Sequence, residues 1–134
     1  MGPIIVDTSV WIDFFRDVRN KQTDLIAGFI IEKNKLYITP TVLQEVLQGI
    51  YTDNLFERIK ADLSALTILK LDPVEAAIEA AQLYRTLRKK GVTIRKPNDC
   101  LIAYYAIFYD MPILHSDVDF GQIARFTALR IARI

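Results

Sequence analysis

The fold is decided near the start of the chain, by the stretch Ile4-Ile5-Val6-Asp7-Thr8-Ser9-Val10-Trp11. Its first three residues form a continuous run of branched apolar side chains, which is typical of a parallel strand buried on both faces. An aspartate directly after such a strand is either a helix cap or part of a functional site. Thr8 or Ser9 can also cap the helix that carries the following apolar residues. We therefore expect a buried strand, then Asp7, then a helix capped by Thr8 or Ser9.

The rest of the chain repeats this order of strand and helix. Further strands are predicted at 36–39, 67–71 and 113–115, with a candidate edge strand at 128–131. A second helix is predicted to open at Asp24, and another is predicted at Asp72, where Pro73 takes the first position and Glu75 completes a capping box. Strands that alternate with helices indicate an α/β fold, with a short parallel sheet covered by helices on both faces. With no linker and no internal repeat, residues 1–134 are expected to form a single domain.

The composition excludes several classes of protein. Hydrophobic residues make up 51% and charged residues 25%, which excludes a disordered chain. No apolar run is long enough to span a membrane, and the start does not resemble a signal peptide. The single cysteine, Cys100, cannot form an internal disulfide, so the cytoplasm is the expected compartment. The net charge of +1 gives no sign of polyanion binding, which would need local patches or bound cations.

Four acidic residues are predicted to meet at one edge of the sheet. Asp7 and Asp117 follow strands, and ligands of open parallel sheets bind at the carboxyl ends of strands. Asp99 lies in the first turn of a predicted helix, which starts at the same edge. Glu45 lies one turn into the helix after the second strand, about 130° from the centre of its apolar stripe, so it is not a core residue.

Converging carboxylates of this kind suggest a cation. They would repel one another without a positive charge among them. Oxygen ligands with no cysteine or histidine partner favour Mg²⁺ or Mn²⁺ over zinc. Each acid also has a purely structural interpretation: Asp7 and Asp99 as helix caps, Glu45 as a solvated helix residue, and Asp117 with Asp119 as turn and cap residues.

The motifs together resemble those of the PIN-domain nucleases, and most closely the short VapC-type toxins of toxin–antitoxin pairs. The matching residues are Ile4-Val6-Asp7-Thr8-Ser9-Val10-Trp11, Glu45, Asp99-Cys100-Leu101-Ile102-Ala103 and Ser116-Asp117-Val118-Asp119-Phe120. The resemblance covers essentially the whole chain. It implies a PIN-like fold with a parallel sheet of four to five strands. It also implies an endoribonuclease that uses one or two Mg²⁺ or Mn²⁺ ions and leaves 5′-phosphate and 3′-hydroxyl ends.

The resemblance also assigns roles to individual positions. The acidic quartet of the family, which binds metal and carries catalysis, falls on Asp7, Glu45, Asp99 and Asp117. Asp119 corresponds to a further acid that some members place near the metal. Thr8 and Ser116 correspond to hydroxyl positions that support the site, although many members have threonine at position 116. His115 departs from the common pattern and is expected to be a strand-end residue rather than a ligand.

A basic stretch and an aromatic helix suggest contacts with other molecules. Residues 85–96 hold six basic residues and no acid, and they are either a solvated helix end or a rim that contacts RNA phosphates, with Arg95 and Lys96 nearest the cleft. Trp11, Phe14 and Phe15 are expected mainly in the core. The family likeness adds a hydrophobic groove around them that receives a VapB-like antitoxin segment. It also implies a homodimer.

Rival functions fit the sequence less well. A haloacid-dehalogenase-like phosphatase would need a second aspartate where this chain has Ser9. A response-regulator receiver would need an acidic pair near the first strand and a late lysine after a strand. The alternative from another class is a catalytically silent PIN-like module that binds RNA or protein, and the intact set of acids argues against it.

Overall fold

The computed structural model describes residues 2–134, which form four strands and seven helices. In chain order the elements are β1 (Ile4–Val6), α1 (Thr8–Phe15), α2 (Lys21–Ile31), β2 (Leu36–Ile38), α3 (Pro40–Gln48), α4 (Asp53–Ser64), β3 (Thr67–Ile68), α5 (Pro73–Lys89), α6 (Asn98–Tyr109), β4 (Ile113–Leu114) and α7 (Val118–Phe126). The predicted alternation of strands and helices is confirmed.

The four strands form one parallel sheet in the order β3-β2-β1-β4. Ile5 is paired with Tyr37 on one side and with Ile113 on the other, so β1 lies inside the sheet. All three residues of β1 are at most 2% exposed, because elements cover both faces of the sheet. The candidate edge strand at 128–131 is reduced to one parallel bridge between Ile113 and Ile131. The sheet therefore has four strands, the lower end of the expected range.

The core is built from branched apolar residues of the strands and one face of most helices. Ile102 and Ala103 of α6 and Phe120 of α7 are fully buried, and each isoleucine or phenylalanine buried in this way stabilises the fold by about 1.5–3 kcal/mol. α5 packs against α6 more extensively than any other pair of helices in residues 2–134, and Ala76 and Ala80 of α5 are buried. Within residues 2–134, no helix has both the length and the apolar character of a membrane span.

Two helix starts differ from the sequence predictions. α2 begins at Lys21 rather than Asp24, because Asn20 and Thr23 form a reciprocal capping box in which each side chain accepts from the other's backbone N–H. Asp72 caps α5 as predicted, with Oδ1 accepting from the N–H of Glu75 at 2.9 Å. The reciprocal bond, in which the Glu75 side chain would accept from the Asp72 N–H, is not formed in the described part of the chain, so Asp72 caps α5 alone. The sequence therefore predicted the cap of α5 but not that of α2.

Candidate metal centre

The strand order places the candidate acids at one crevice. The chain passes outward from β1 to β2 and β3, and β4 then pairs on the other side of β1, so the order reverses between β1 and β4. Open parallel sheets bind ligands at such a reversal, beyond the carboxyl ends of the strands. Asp7 directly follows β1, and its N–H donates to the carbonyl of Leu114 at 2.9 Å. Asp117 lies three residues after β4. Both carboxylates therefore flank the crevice.

Asp7 is the N-cap of α1, which corrects the expectation that Thr8 or Ser9 caps this helix. The helix begins at Thr8, so Thr8 and Ser9 already lie inside it. Oδ2 of Asp7 accepts from the N–H of Ser9 at 3.4 Å and from its hydroxyl at 2.8 Å. The side chain is nevertheless buried at the end of β1, with 4% exposure. One carboxylate serves both as the helix cap and as a wall of the crevice.

Asp99, Asp117 and Asp119 form the tightest acidic group in residues 2–134. One carboxylate oxygen from each lies within 4.8 Å of the others. Asp99 lies in the first turn of α6, as predicted, while Pro97 takes the N-cap position, so the capping interpretation of Asp99 is wrong. Asp119 is buried in the first turn of α7, and Asp117 caps that helix by accepting from the N–H of Asp119 at 3.0 Å. The structure thus brings Asp119, expected only as an accessory acid, fully into the group.

Glu45 lies outside that tight group, on the side of Asp7. It is half-buried on α3, and its Oε1 accepts from the Thr8 hydroxyl at 2.7 Å. Its charge contributes to the raised pKa of Asp7, and the charge of Asp7 contributes to that of Asp99. The five carboxylates therefore form one electrostatically connected set, with Asp7 between Glu45 and Asp99.

Hydroxyl groups hold this set in place. Thr8 orients Glu45, as described above. Ser116 donates its hydroxyl hydrogen bond to Ser9 at 3.1 Å, and Ser9 donates to Asp7 at 2.8 Å. Ser116 thus supports Asp7 through Ser9 rather than directly. Sequence reasoning missed Ser9 as a supporting residue, although a hydroxyl two residues after an N-cap aspartate is the signal that could have found it.

Burial and mutual repulsion keep two of the acids easy to protonate. Burial, more than the neighbouring charge of Glu45, raises the pKa of Asp7. Burial and then the charges of Asp7 and Asp117 raise the pKa of Asp99 to about 7. Burial also raises the pKa of the adjacent Cys100 thiol to about 11, so it remains a neutral core residue. The negative charges near Asp99 are therefore not fully neutralised by positive groups of the protein.

Arg95 and Lys96 form ion pairs with the acids. Lys96 Nζ lies 3.2 Å from Oδ2 of Asp117, while Arg95 lies 3.3 Å from Asp117 and 3.5 Å from Asp119. Burial raises the pKa of Asp117, but the N–H of Asp119 and the charges of Lys96 and Arg95 outweigh it and hold the pKa below its usual value. The hydrogen bond to Asp117 raises the pKa of Lys96. These two bases, predicted at the rim of the cleft, therefore lie against its carboxylates.

A divalent cation fits this donor set. Oδ2 of Asp99 is buried and has no hydrogen-bond partner in residues 2–134, which is costly for a carboxylate oxygen. One carboxylate oxygen of Asp99 lies within 4.8 Å of one from Asp117 and one from Asp119, so all the available ligands are oxygens. Hard cations such as Mg²⁺ and Mn²⁺ prefer such ligands. His115 does not join the group; its Nδ1 accepts from the N–H of Asp117 at 3.2 Å.

The aromatic helix contributes one side chain to a groove on the outside of the fold. Trp11 is 2% exposed and belongs to the core, and its ring stacks on that of Phe15. Phe14 faces a different depression, beside α2. Phe15 lines an apolar groove of about 220 Å³ between α1, α3 and α4. Its apolar walls are Ile12, Phe15, Val46, Ile50, Leu55 and Ile59. Of the three aromatic residues expected around an antitoxin groove, only Phe15 lines this one.

Comparison with known proteins agrees with this geometry. A model of the PIN domain family matches residues 4–126. VapC ribonuclease Mb1587 of Mycobacterium bovis and ribonuclease VapC11 of Mycobacterium tuberculosis are each 33% identical to the chain over 130 residues, covering 96% of it and 97% of each relative. A solved complex, VapBC2 from Rickettsia felis bound to a promoter DNA fragment, contains a chain similar in fold, with a TM-score of 0.74, 18% identity and 97% coverage of both chains.

Proposed function

The chain belongs to the PIN-domain family, with VapC ribonucleases among its relatives, and on this basis we propose that it is a metal-dependent endoribonuclease. It would cleave RNA phosphodiester bonds in the cytoplasm as the toxin of a VapBC-type toxin–antitoxin pair. The observation that carries this proposal is the unpartnered, buried Oδ2 of Asp99 inside a group of three carboxylates. Such a group costs stability unless a cation binds there.

The acids divide into two functional sets. Asp99, Asp117 and Asp119 would hold the cation, Mg²⁺ or Mn²⁺, and Asp7 would complete the site from the end of β1. When bound, a divalent cation activates water and stabilises the negative charge that develops on a phosphate. Thr8 holds Oε1 of Glu45 at 2.7 Å and so orients the carboxylate that would accept a proton from the attacking water.

Sequencing of RNA ends tests this function. We expect new 5′-phosphate ends after brief expression of the wild-type protein. Asp99→Asn should produce none of them, because its amide cannot replace the carboxylate as a cation ligand. Lys35→Met, which changes a residue before β2 at the opposite edge of the sheet, should behave as the wild type. Ends that appear equally with Asp99→Asn would refute the metal-site assignment. Binding of Mn²⁺ without any cleavage would favour the silent PIN-like module.

The apolar groove between α1, α3 and α4 supports an antitoxin partner. Its walls are mostly apolar, with Arg16 as the one charged residue of the lining within residues 2–134, and the groove holds none of the acids of the crevice, which suits the apolar face of an amphipathic segment. We expect Leu55→Glu to escape neutralisation by a co-expressed VapB-type antitoxin while it still cleaves RNA. Ile31→Glu changes an 80% exposed apolar residue outside the groove and should remain neutralised. Equal neutralisation of both variants would exclude this groove.

The outer face of α5 and α6 supports a homodimer. Val74, Ile78 and Phe108 are more than half exposed there. Along α5, acidic residues occupy the first half and basic residues the last turns: Glu75, Glu79, Arg85, Arg88 and Lys89. Two antiparallel copies of α5 would therefore pair acid with base around an apolar centre. Ile78→Arg should convert a dimer into a monomer in light-scattering measurements, and a dimer that persists would place the interface elsewhere.

A further inference from the structure

Arg95 and Lys96 contact carboxylate oxygens of Asp117 and Asp119, two of the acids that would bind the cation under the proposed function, on which this inference rests. Oδ1 of Asp117 is 3.3 Å from Arg95 Nη2, and Oδ2 is 3.2 Å from Lys96 Nζ. Arg95 also reaches Asp119, with Nε at 3.5 Å from Oδ2 and its backbone N–H at 3.2 Å from the same atom. Both oxygens of Asp117 and one of Asp119 are therefore already occupied by positive groups of the chain itself.

The two bases carry the same total charge as the divalent cation that would replace them. Arg95 and Lys96 together carry two positive charges, which is the charge of one Mg²⁺ or Mn²⁺ ion. The third acid of the group, Asp99, has no such partner at Oδ2, and neither base lies within ion-pair distance of it in residues 2–134. The bases thus compensate Asp117 and Asp119 but leave Oδ2 of Asp99, which is buried, without a partner in the described residues. A cation that reaches Asp99 must share the other two acids with them.

The bases are free to move and the acids are not. The side chains of Arg95 and Lys96 are 67% and 64% exposed, whereas those of Asp117 and Asp119 are 10% and 7% exposed. The backbone that carries the two bases is fixed, because the preceding residue, Ile94, is buried and the Arg95 N–H donates to Asp119. Because the charged ends of both bases are exposed, water can solvate them once they leave the acids, which lowers the cost of their displacement by a cation.

We propose that Arg95 and Lys96 are resident counter-ions that compete with the divalent cation for Asp117 and Asp119. Binding of the cation moves both side chains away from the acids. They are then held at the rim of the crevice by a fixed backbone, with their charges available to the phosphates of RNA. Cation binding and RNA binding are therefore coupled. In the metal-free protein the two bases are paired with Asp117 and Asp119, and binding of the ion releases them to contact RNA.

Titration of the purified protein with Mn²⁺ in the absence of RNA tests this competition, by calorimetry and by the electron paramagnetic resonance signal of free Mn²⁺. Arg95→Met/Lys96→Met should bind Mn²⁺ about three- to tenfold more tightly than the wild type, because the three ion pairs that these bases form with Asp117 and Asp119 no longer oppose it. Lys96→Met alone should give a smaller gain. The matched control is Lys35→Met/Arg133→Met, which removes the same charges at the opposite edge of the sheet and should leave the affinity unchanged.

The outcomes separate this inference from the proposed function. Wild-type affinity in Arg95→Met/Lys96→Met, or an equal gain in the control, would overturn the competition while leaving the metal site intact. Weaker binding would show that the bases build the site rather than oppose the ion, and would also overturn it. No Mn²⁺ binding by the wild type, with thermal melting confirming a folded protein, would overturn the proposed metal dependence and the inference with it.

Discussion

The hydroxyl of Thr8 donates a 2.7 Å hydrogen bond to Oε1 of Glu45 and so ties the start of α1 to α3 across 37 residues of sequence. Thr8→Val keeps the shape of the side chain and removes this donor. We expect kcat for RNA cleavage to fall about tenfold, since Glu45 loses the group that orients it, with little change in KM.

Thr8→Ser is the control, because it retains the hydroxyl and should keep most of the activity. Glu45→Gln should lose far more activity than Thr8→Val. Wild-type kcat in Thr8→Val would exclude Thr8 as an orienting residue.

Asp99 should make the stability of the metal-free protein depend on pH. Its pKa of about 7 in the fold exceeds the ordinary value of a carboxyl group, so the fold favours the protonated form. The resulting penalty is absent below about pH 4, grows between about pH 4 and pH 7, and is complete above that. In EDTA at pH 8, Asp99→Asn should therefore be about 2 kcal/mol more stable than the wild type to urea unfolding.

At pH 4 the two proteins should have nearly equal free energies of unfolding, because Asp99 is then protonated to a similar extent in the folded and unfolded states. A difference that does not change with pH would mean that Asp99→Asn acts through packing instead.

Mn²⁺ should reverse the order of stability. The cation requires an ionised Asp99, so the affinity for Mn²⁺ should rise by close to tenfold per pH unit between pH 5 and pH 7 and level off above. Saturating Mn²⁺ should raise the melting temperature of the wild type and leave that of Asp99→Asn unchanged. An affinity that is flat across this range would place the ion away from Asp99.

Arg95 and Lys96 should determine part of the salt dependence of RNA binding. In a Glu45→Gln background with Mn²⁺, removal of both charges should weaken binding and reduce the slope of log K against log salt by about 1.4, or about 0.7 for each phosphate of single-stranded RNA that is no longer neutralised. Filter binding at several salt concentrations measures the slope. An unchanged slope would mean that neither side chain binds an RNA phosphate.

Phe120 should be a principal stabilising residue beneath the site. It is fully buried on α7, directly after Asp119, and its ring packs against that of His115 at 5.5 Å between centroids. Phe120→Ala should lower the free energy of unfolding by about 3–5 kcal/mol. Tyr51→Ala removes a ring that is fully exposed and should cost about 1 kcal/mol or less. Similar losses in both variants would contradict the burial that distinguishes them.

The sequence predicted the parts of the fold that short-range patterns determine. A continuous apolar run defined β1, and Asp72 with Pro73 defined the start of α5, because each signal lies within a few residues. The start of α2 was misplaced since Asp24 and Asn20 are both good capping residues, and only the backbone geometry selects Asn20. The acids were found because strand ends in a parallel sheet share one edge.

Long-range pairings could not be predicted. The charges of Arg95 and Lys96 were visible, but their partner Asp117 lies more than twenty residues away, and sequence spacing does not say which carboxylate faces them. For the same reason the link from Ser116 to Ser9, 107 residues away, was not predicted. Trp11 is buried in the core, as predicted, but the sequence did not show which aromatic residue of α1 would line the groove, because that depends on how α3 and α4 pack.

The dual use of Asp7 and Asp117, each an N-cap as well as a crevice carboxylate, limits how this domain can change over evolution. Asparagine caps a helix about as well as aspartate, whereas alanine costs about 1 kcal/mol at such a position. A lineage that abandons the chemistry is therefore expected to accept asparagine or serine at these two positions, and to select against alanine. Ancestry in an active enzyme would then remain visible in the polar residues that an inactive descendant retains.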